Sequence, residues 1–372
     1  MSFFCNLPFT EVISNGTNIR PCCVMRKNVE VNIDNYFNDA EMITIKRQLL
    51  DGQAPRQCFA CVSSERTDGH SPRIMAEQFY PELSRHIKEK NDATYYNIKS
   101  VSIRTSNICN LKCLPCEGQS FVRDTELRKL NLIPISPTLR HHPNWDNLLK
   151  LDFERLTLLG GEPFYDKITF DLLKNLVSNG KSKSVQIDLN TNLTAITQEK
   201  MQFLVENFKK VMIKGSIDGI GAVNDYLRYP SKWADIELCI SIVRSFPEVD
   251  LVVTTALSNL SLIKYHELIR WAADTKINLF ITPVDTPEVL RKSLLPPALK
   301  SDLLKIYQSL KIELAGKLWD RTEVCIDTCI NICSGDSDIK DWPEFLEWIN
   351  KHDKLRGTCL NDVFPELLDY TS

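Results

Sequence analysis

The 372-residue chain lacks an excess of either charge, with 45 Lys and Arg set against 48 Asp and Glu. A net charge of -3 gives no global basic field for nucleic acid or an anionic membrane. No apolar run reaches the length of a membrane span. The start, MSFFCNLPF, has no basic stretch ahead of a long apolar core, so a cytoplasmic location is expected. Internal repeats, low-complexity tracts and long linkers are also missing, which excludes a repeat array. What is left is ordinary for a globular protein, 43% hydrophobic and 25% charged. The length suits one large domain with an appendage, or two domains.

Cysteine is present in quantity. Thirteen cysteines, several in tight clusters, suit metal or cluster binding in a reducing compartment better than a disulfide framework. Cys109, Cys113 and Cys116 stand at C-x3-C-x2-C spacing in SNICNLKCLPCEG, the stretch from Ser106 to Gly118. An iron–sulfur cube takes four ligands, so three thiolates would hold a 4Fe-4S cluster and leave one iron open. Zinc also takes close cysteines but needs a fourth nearby ligand. The loop has no histidine, and His141 and His142 lie well beyond it.

Residues 1 to about 98 hold Cys5, Cys22, Cys23, Cys58 and Cys61. Asn15-Gly16 between two short β-prone runs signals a hairpin, which would bring Cys5 toward Cys22. The C-x2-C of Cys58 and Cys61 can complete a four-thiolate set, with a structural zinc ribbon as the alternative reading. A helix is expected around Asp39 to Leu50. Another is expected from Ser71 to Lys90, where Ile74, Met75, Phe79, Leu83 and Ile87 fall at helical spacing and would pack the segment onto the core.

From about 99 to 285, strand-like and helix-like runs alternate. The strands are expected at Val101–Arg104, Arg155–Leu159, Val185–Asn190, Val211–Ile217, Leu251–Ala256 and Ile277–Ile281. Helices fall between them near Ile168–Val177, Thr197–Phe208, Trp233–Ser245 and Leu262–Ala273. Such alternation predicts an α/β fold, a parallel sheet with helical crossovers, and six units fit a partial barrel. Functional groups of such barrels lie on the loops that follow the strands. Here those loops are the cysteine loop, Gly160-Gly161-Glu162-Pro163, Asn190-Thr191-Asn192, and Ser216-Ile217-Asp218 running on to Arg228. Asp218 has helix capping as an alternative role. Thr254, Thr255, Ser258 and Asn259 follow the fifth strand without individual assignment. Beyond Pro296-Pro297 a helix is expected from Ala298 toward Leu314. Cys325, Cys329 and Cys333 then recur along one helical face, as buried thiols or, alternatively, a further cluster site.

Taken in order, the three-cysteine loop, the GGEP of Gly160–Pro163, the turn at Asn190–Asn192 and the Ser216–Asp218 motif with Arg228 resemble the radical S-adenosylmethionine (radical SAM) family. The N-terminal cysteines are similar to the auxiliary-cluster modules of its SPASM and twitch subfamilies, placed here ahead of the core. The resemblance implies a partial (β/α)6 TIM-type barrel at 99–285. A small N-terminal cysteine-rich module at 1–98 and a C-terminal helical extension at 286–372 flank it. It implies a SAM-binding 4Fe-4S cluster on Cys109, Cys113 and Cys116. An auxiliary 4Fe-4S cluster would sit on Cys5, Cys22, Cys58 and Cys61, with Cys23 the alternative to Cys22. SAM would meet the main-chain carbonyl at Pro115, together with Gly160, Gly161, Glu162, Pro163, Asn190, Asn192, Ser216, Asp218 and Arg228. Two positions depart from the family pattern: Pro115 replaces an aromatic and Leu193 a glycine.

The implied activity is reductive cleavage of SAM to a 5'-deoxyadenosyl radical that abstracts hydrogen from a substrate, an oxidoreductase-like chemistry fed by an electron donor. A peptide or protein residue is the implied substrate. A small-molecule dehydrogenase is the alternative within enzymes, and a zinc-stabilised binding or scaffold protein the alternative of another class.

Overall fold

The computed structural model describes residues 3–14, 18–25, 29–30, 33–67, 71–116, 120–132, 145–318 and 320–370. The expected turn at Asn15-Gly16, the end of the cysteine loop at Gly118, and His141 and His142 lie outside the described residues. The strands are β1 (Glu11–Ser14), β2 (Asn18–Arg20), β3 (Val29–Glu30), β4 (Ser100–Arg104), β5 (Arg155–Leu159), β6 (Gln186–Thr191), β7 (Lys210–Ser216), β8 (Asp250–Leu257) and β9 (Asn278–Pro283). Among the described residues these nine form one sheet in the order β3-β2-β1-β4-β5-β6-β7-β8-β9. The six strands β4 to β9 are all parallel to their neighbours. The crossovers between β5 and β9 carry the helices Lys167–Ser178, Gln198–Asn207, Trp233–Arg244 and Asn259–Thr275.

The strand sequences alternate, and so does their burial. Leu156 and Leu158, Ile187 and Leu189, and Val211 and Ile213 are buried in one continuous core. Most intervening positions on β5, β6 and β7 are polar, namely Arg155, Thr157, Gln186, Asp188 and Lys214, with Met212 an apolar exception. Asp188 is buried there and accepts an ion pair from Lys214 at 2.8 Å. Two-residue periodicity thus divides β5, β6 and β7 between an apolar face and a largely polar one on the other side of the sheet.

The N-terminal segment joins this sheet directly. β1 lies parallel to β4, with Val12 opposite Val101 and Ser14 opposite Ile103, and antiparallel to β2. The segment from Ser71 to Lys90 is two helices, Pro72–Phe79 and Pro81–Lys90, where one was expected. Pro81 has no N–H to continue the first helix and forces Tyr80 before it to φ -132°, ψ 58°. The break redirects the apolar stripe, so Ile87 is buried while Met75 and Phe79 are exposed.

Beyond β9 come the helices Pro297–Glu313, Asp320–Ser334 and Trp342–Arg356. Asp320–Ser334 covers the sheet edge at β9. The Leu279 N–H donates to Thr322 Oγ1 at 3.3 Å and the Cys325 thiol donates to the Leu279 carbonyl at 3.7 Å. An open edge of unpaired backbone is thereby satisfied by side chains. Cys325, Cys329 and Cys333 are all buried. Among the described residues no helix is long and apolar enough to cross a membrane.

Candidate functional site

Parallel strands bring their carboxyl ends to one rim, and loops from that rim line a cavity of about 410 Å3. Its walls include Cys109, Cys113, Pro115 and Cys116, then Gly160, Gly161, Asn190, Asn192, Ser216 and Arg228. Arg104 at the end of β4 and the segment Thr282–Thr286, which runs from the last residues of β9 into the following loop, complete it. Glu162, Pro163 and Asp218 do not line it; all three are buried behind the wall.

The cysteine loop is held to its neighbours mainly by backbone. Gly161 N–H donates to the Ser106 carbonyl at 2.9 Å and Glu162 N–H to the Ile108 carbonyl at 2.8 Å. This contact explains the glycine pair. A Cβ on Gly161 would stand 2.1 Å from the Ile108 carbonyl oxygen, and one on Gly160 would meet the Ser106 oxygen at 3.0 Å. The other side of the loop pairs with the strand–helix connection that carries Arg228. Lys112 N–H donates to the Tyr229 carbonyl at 2.6 Å and Leu114 N–H to that of Leu227 at 2.8 Å.

Glu162 binds the β5 loop to the β6 loop. Its carboxylate accepts from Thr191 Oγ1 at 2.7 Å, Asn192 N–H at 2.6 Å and Phe164 N–H at 3.0 Å. Burial nonetheless raises its carboxyl to about 7, against the pull of those donors. Asn192 in turn points its amide at the cysteine loop, 2.9 Å from Asn110 Oδ1 and 3.8 Å from Cys109 Sγ. Leu193 follows at φ +59°, fully buried, in the left-handed conformation that glycine tolerates best. Its side chain fills the space beside Gly215. Asn190 Oδ1, buried in the cavity wall, has no hydrogen-bond partner among the described residues.

Arg228 is committed on two sides. Nε lies 2.9 Å from Asp218 Oδ2 and Nη2 donates to Asp218 Oδ1 at 3.2 Å, while Nη1 lies 3.8 Å from Cys113 Sγ. Burial works against its charge, but Asp218 first and Cys113 second raise the guanidinium above its ordinary value. Asp218 also accepts from Ala256 N–H at 2.8 Å, so its side chain ties β7 to β8 and caps no helix. Burial pushes the thiols of Cys109 and Cys116 up to about 12 and raises Cys113, with Arg228 drawing Cys113 back.

A second hold on the loop comes from the far end of the chain, through charged side chains that the sequence reading assigned no role. Arg356 Nη2 donates to the Lys112 carbonyl, and its guanidinium forms a bidentate pair with Glu126 at 2.9 and 2.7 Å. Arg123, fully buried, donates to the Leu114 carbonyl at 3.2 Å and meets Glu126 and His352. Two helices, Phe121–Lys129 and Trp342–Arg356, therefore grip the loop's carbonyls from outside. Charged residues at helical spacing usually mark solvated faces, so pattern alone could not separate these from surface charge.

The N-terminal cysteines form a separate sulfur-lined pocket. Cys5, Cys22, Cys58 and Cys61 line one small cavity and are buried, whereas the Cys23 side chain is exposed. Met25 N–H donates to Cys22 Sγ at 3.3 Å, as Leu111 N–H does to Cys109 Sγ at 3.4 Å. Burial raises Cys58 to about 12 and Cys22 to about 11. Among the described residues no three His, Cys, Asp or Glu side chains are drawn close enough to hold a metal ion. Each set offers thiols around a cavity, with backbone N–H groups aimed at sulfur. That donor set fits an iron–sulfur group, whose positive iron would deprotonate the thiols that burial keeps neutral.

No protein-family model matches the chain, and no curated protein matches it. Among solved structures it is similar to native anSMEcpe with bound AdoMet, at a TM-score of 0.43 and 17% identity over 58% of this chain and 61% of that one. It is also similar to native anSMEcpe with bound AdoMet and Cp18Cys peptide, at 0.39 and 16% over 58% of this chain and 60% of that one. The chain thus spans less than two thirds of the length of either structure.

Proposed function

We propose that the chain is a radical SAM enzyme of the SPASM/twitch type that abstracts a hydrogen atom from a peptide or protein residue. The observation that best supports this reading is the convergence of Cys109, Cys113 and Cys116 with Gly160, Gly161, Ser216 and Arg228 on one cavity at the carboxyl ends of parallel strands. A 4Fe-4S cluster held by Cys109, Cys113 and Cys116 would supply the electron for reductive cleavage of SAM to methionine and a 5'-deoxyadenosyl radical.

The chain's own residues divide the remaining work. Cys109, Cys113 and Cys116 would be the cluster ligands. Arg228, fixed by Asp218, sets a positive charge beside Cys113 and keeps Nη1 on the cavity side for a carboxylate. Asn192 steadies Cys109, and the unpartnered Asn190 Oδ1 offers an acceptor to the ligand. Ser216 and the Pro115 carbonyl supply further polar contacts, and Gly160 and Gly161 leave the wall free of side chains. Glu162, Pro163 and Asp218 act from behind, by holding the loops. Cys5, Cys22, Cys58 and Cys61 would hold a fully ligated auxiliary cluster. The module at 1–98, core at 99–285 and extension at 286–372 follow from the same reading, as does a reducing compartment such as the cytoplasm.

Anaerobic reconstitution followed by dithionite and SAM tests it. A brown protein with about eight irons and formation of 5'-deoxyadenosine is the expected result. Replacing Cys109, Cys113 and Cys116 together by alanine should remove about half of that iron and abolish deoxyadenosine. A colourless protein holding zinc that does not respond to SAM would establish the scaffold alternative.

A further inference from the structure

The cysteine loop has an outer side as well as a cavity side. Neighbours in sequence divide between them: Cys113 and Arg228 line the central cavity, while Lys112 and Tyr229 line a second, open groove of about 370 Å3. One layer of chain separates the two. Helix Phe121–Lys129 and the end of helix Trp342–Arg356 form the other walls of this groove.

The groove's surface is of an unusual kind for this chain. Phe121 and Leu355, large apolar side chains that are 47% and 45% exposed, line it. Around them stand two cations, Lys112 and Lys129, while the remaining charged lining residues, Arg356 and Glu126, form a buried pair with 3% and 2% of their side chains exposed. Glu126 is paired with Arg123 as well. The groove is therefore basic although the whole chain carries a net -3. Arg128 and Lys354, next to two of the lining residues, are exposed and extend the same sign. An apolar centre with a charged rim is the anatomy of a protein interface, and small rims of this kind suit transient redox encounters.

We propose that this groove docks a small acidic protein that carries one electron at a time, and that it is the entry point for reduction of the cysteine site. The proposal rests on the radical SAM reading, which requires an electron from outside and fills the inner cavity with SAM. The carrier loses one electron and SAM gains it. The C5'–S bond breaks, methionine keeps the electron pair on sulfur, and the deoxyadenosyl carbon keeps the unpaired electron. The groove lies directly behind the loop, so the electron need cross only that layer.

Reduced flavodoxin, an acidic flavoprotein, is the probe, with dithionite as a reductant that needs no docking. Affinity for oxidised flavodoxin is measured by calorimetry on the reconstituted protein at low and raised salt, and deoxyadenosine formation with each reductant is followed. In Lys129→Glu/Leu355→Glu the flavodoxin Kd should rise about tenfold or more and lose its salt dependence, because rim charge governs encounter. Dithionite-driven deoxyadenosine should match that of the parent. Lys129→Ala, a milder change at an exposed helix end, should move the Kd in the same direction by less. If the parent cleaves SAM with dithionite but does not bind flavodoxin, or if the double variant binds and is reduced as the parent is, the docking surface is refuted. If the parent does not cleave SAM with dithionite either, the functional reading fails and the docking proposal with it.

Discussion

Leu193 occupies the space that a side chain at position 215 would need: a Cβ added to Gly215 would stand 2.5 Å from Leu193 Cδ1. The two residues sit on adjacent strand ends, and each is odd for its place. Leu193 takes a left-handed backbone that costs a leucine roughly 1–2 kcal/mol, offset by complete burial of its side chain. Gly215 within β7 leaves the room. Gly215→Ala should therefore destabilise by about 1–3 kcal/mol through overpacking, and Leu193→Gly by about 1–4 kcal/mol as cavity loss exceeds relieved strain. Urea denaturation of the double variant is the discriminating measurement. A cost well below the sum of the single changes is expected, and simple additivity would show that the residues do not share this space.

Gly161 makes a harsher demand, because the atom in the way belongs to backbone. Gly161→Ala should cost about 3 kcal/mol or more and push the cysteine loop from its seat. Iron uptake on reconstitution should fall with it. Gly160→Ala, whose nearest contacts are at 3.0 Å, should be milder in both measurements. Equal effects at the two glycines would remove the loop contact as the reason for the pair.

The Arg123–His352 contact fixes a protonation state. Arginine has no acceptor, so His352 Nε2 accepts from Arg123 at 2.8 Å and Nδ1 carries the proton toward the Trp348 carbonyl at 2.7 Å. Burial first, and the Arg123 charge second, lower the imidazole to about 3. Unfolded, it titrates near its ordinary value of about 6.5. Between those two values the unfolded chain binds more protons, so stability rises with pH. The contribution is complete above about pH 6.5 and is lost as pH falls from there toward 3. From pH 6.5 to 5.5 the parent should lose about 1 kcal/mol more than His352→Gln, which keeps an acceptor for Arg123. Parallel pH profiles of the two proteins in chemical denaturation would contradict this.

Arg228 combines a structural and a binding task, and a single substitution confuses them. Arg228→Ala strands the Asp218 carboxylate in the interior and should destabilise by about 3–5 kcal/mol. Removing both, as Arg228→Ala/Asp218→Ala, should restore part of that stability. If Nη1 also meets the SAM carboxylate, the double variant still binds SAM more weakly by about 1.5–3 kcal/mol, read by equilibrium dialysis. Recovery of affinity along with stability would confine Arg228 to the structural role.

Strand alternation and the motif loops were legible because each depends on residues close in sequence. The six parallel strands fall within a residue or two of where alternation put them, Arg155–Leu159 to the residue. The polar loops after them share one cavity because parallel strands end on one rim. The split at Pro81 was visible as a residue, but the apolar spacing runs across it and masks the break. The grip of Arg123 and Arg356 on the loop depends on contacts spanning more than two hundred residues, and local spacing carries no record of such partners. Glu162 reads as a ligand-facing acid in GGEP, yet its three donors come from its own loop and the next one. Only the fold shows which way it faces.

The parallel pairing of β1 with β4 has a metric consequence. The strand between Cys5 and Cys22 runs beside the strand that leads into Cys109, in a register where Ser14 meets Ile103. The offset between the two sulfur pockets is thus ruled by a ladder of backbone hydrogen bonds. Inserting one residue into β1 would slide one pocket past the other by about 3.3 Å and turn its side chains to the opposite face. The sheet acts as a gauge between the pockets, one that tolerates no adjustment smaller than two residues.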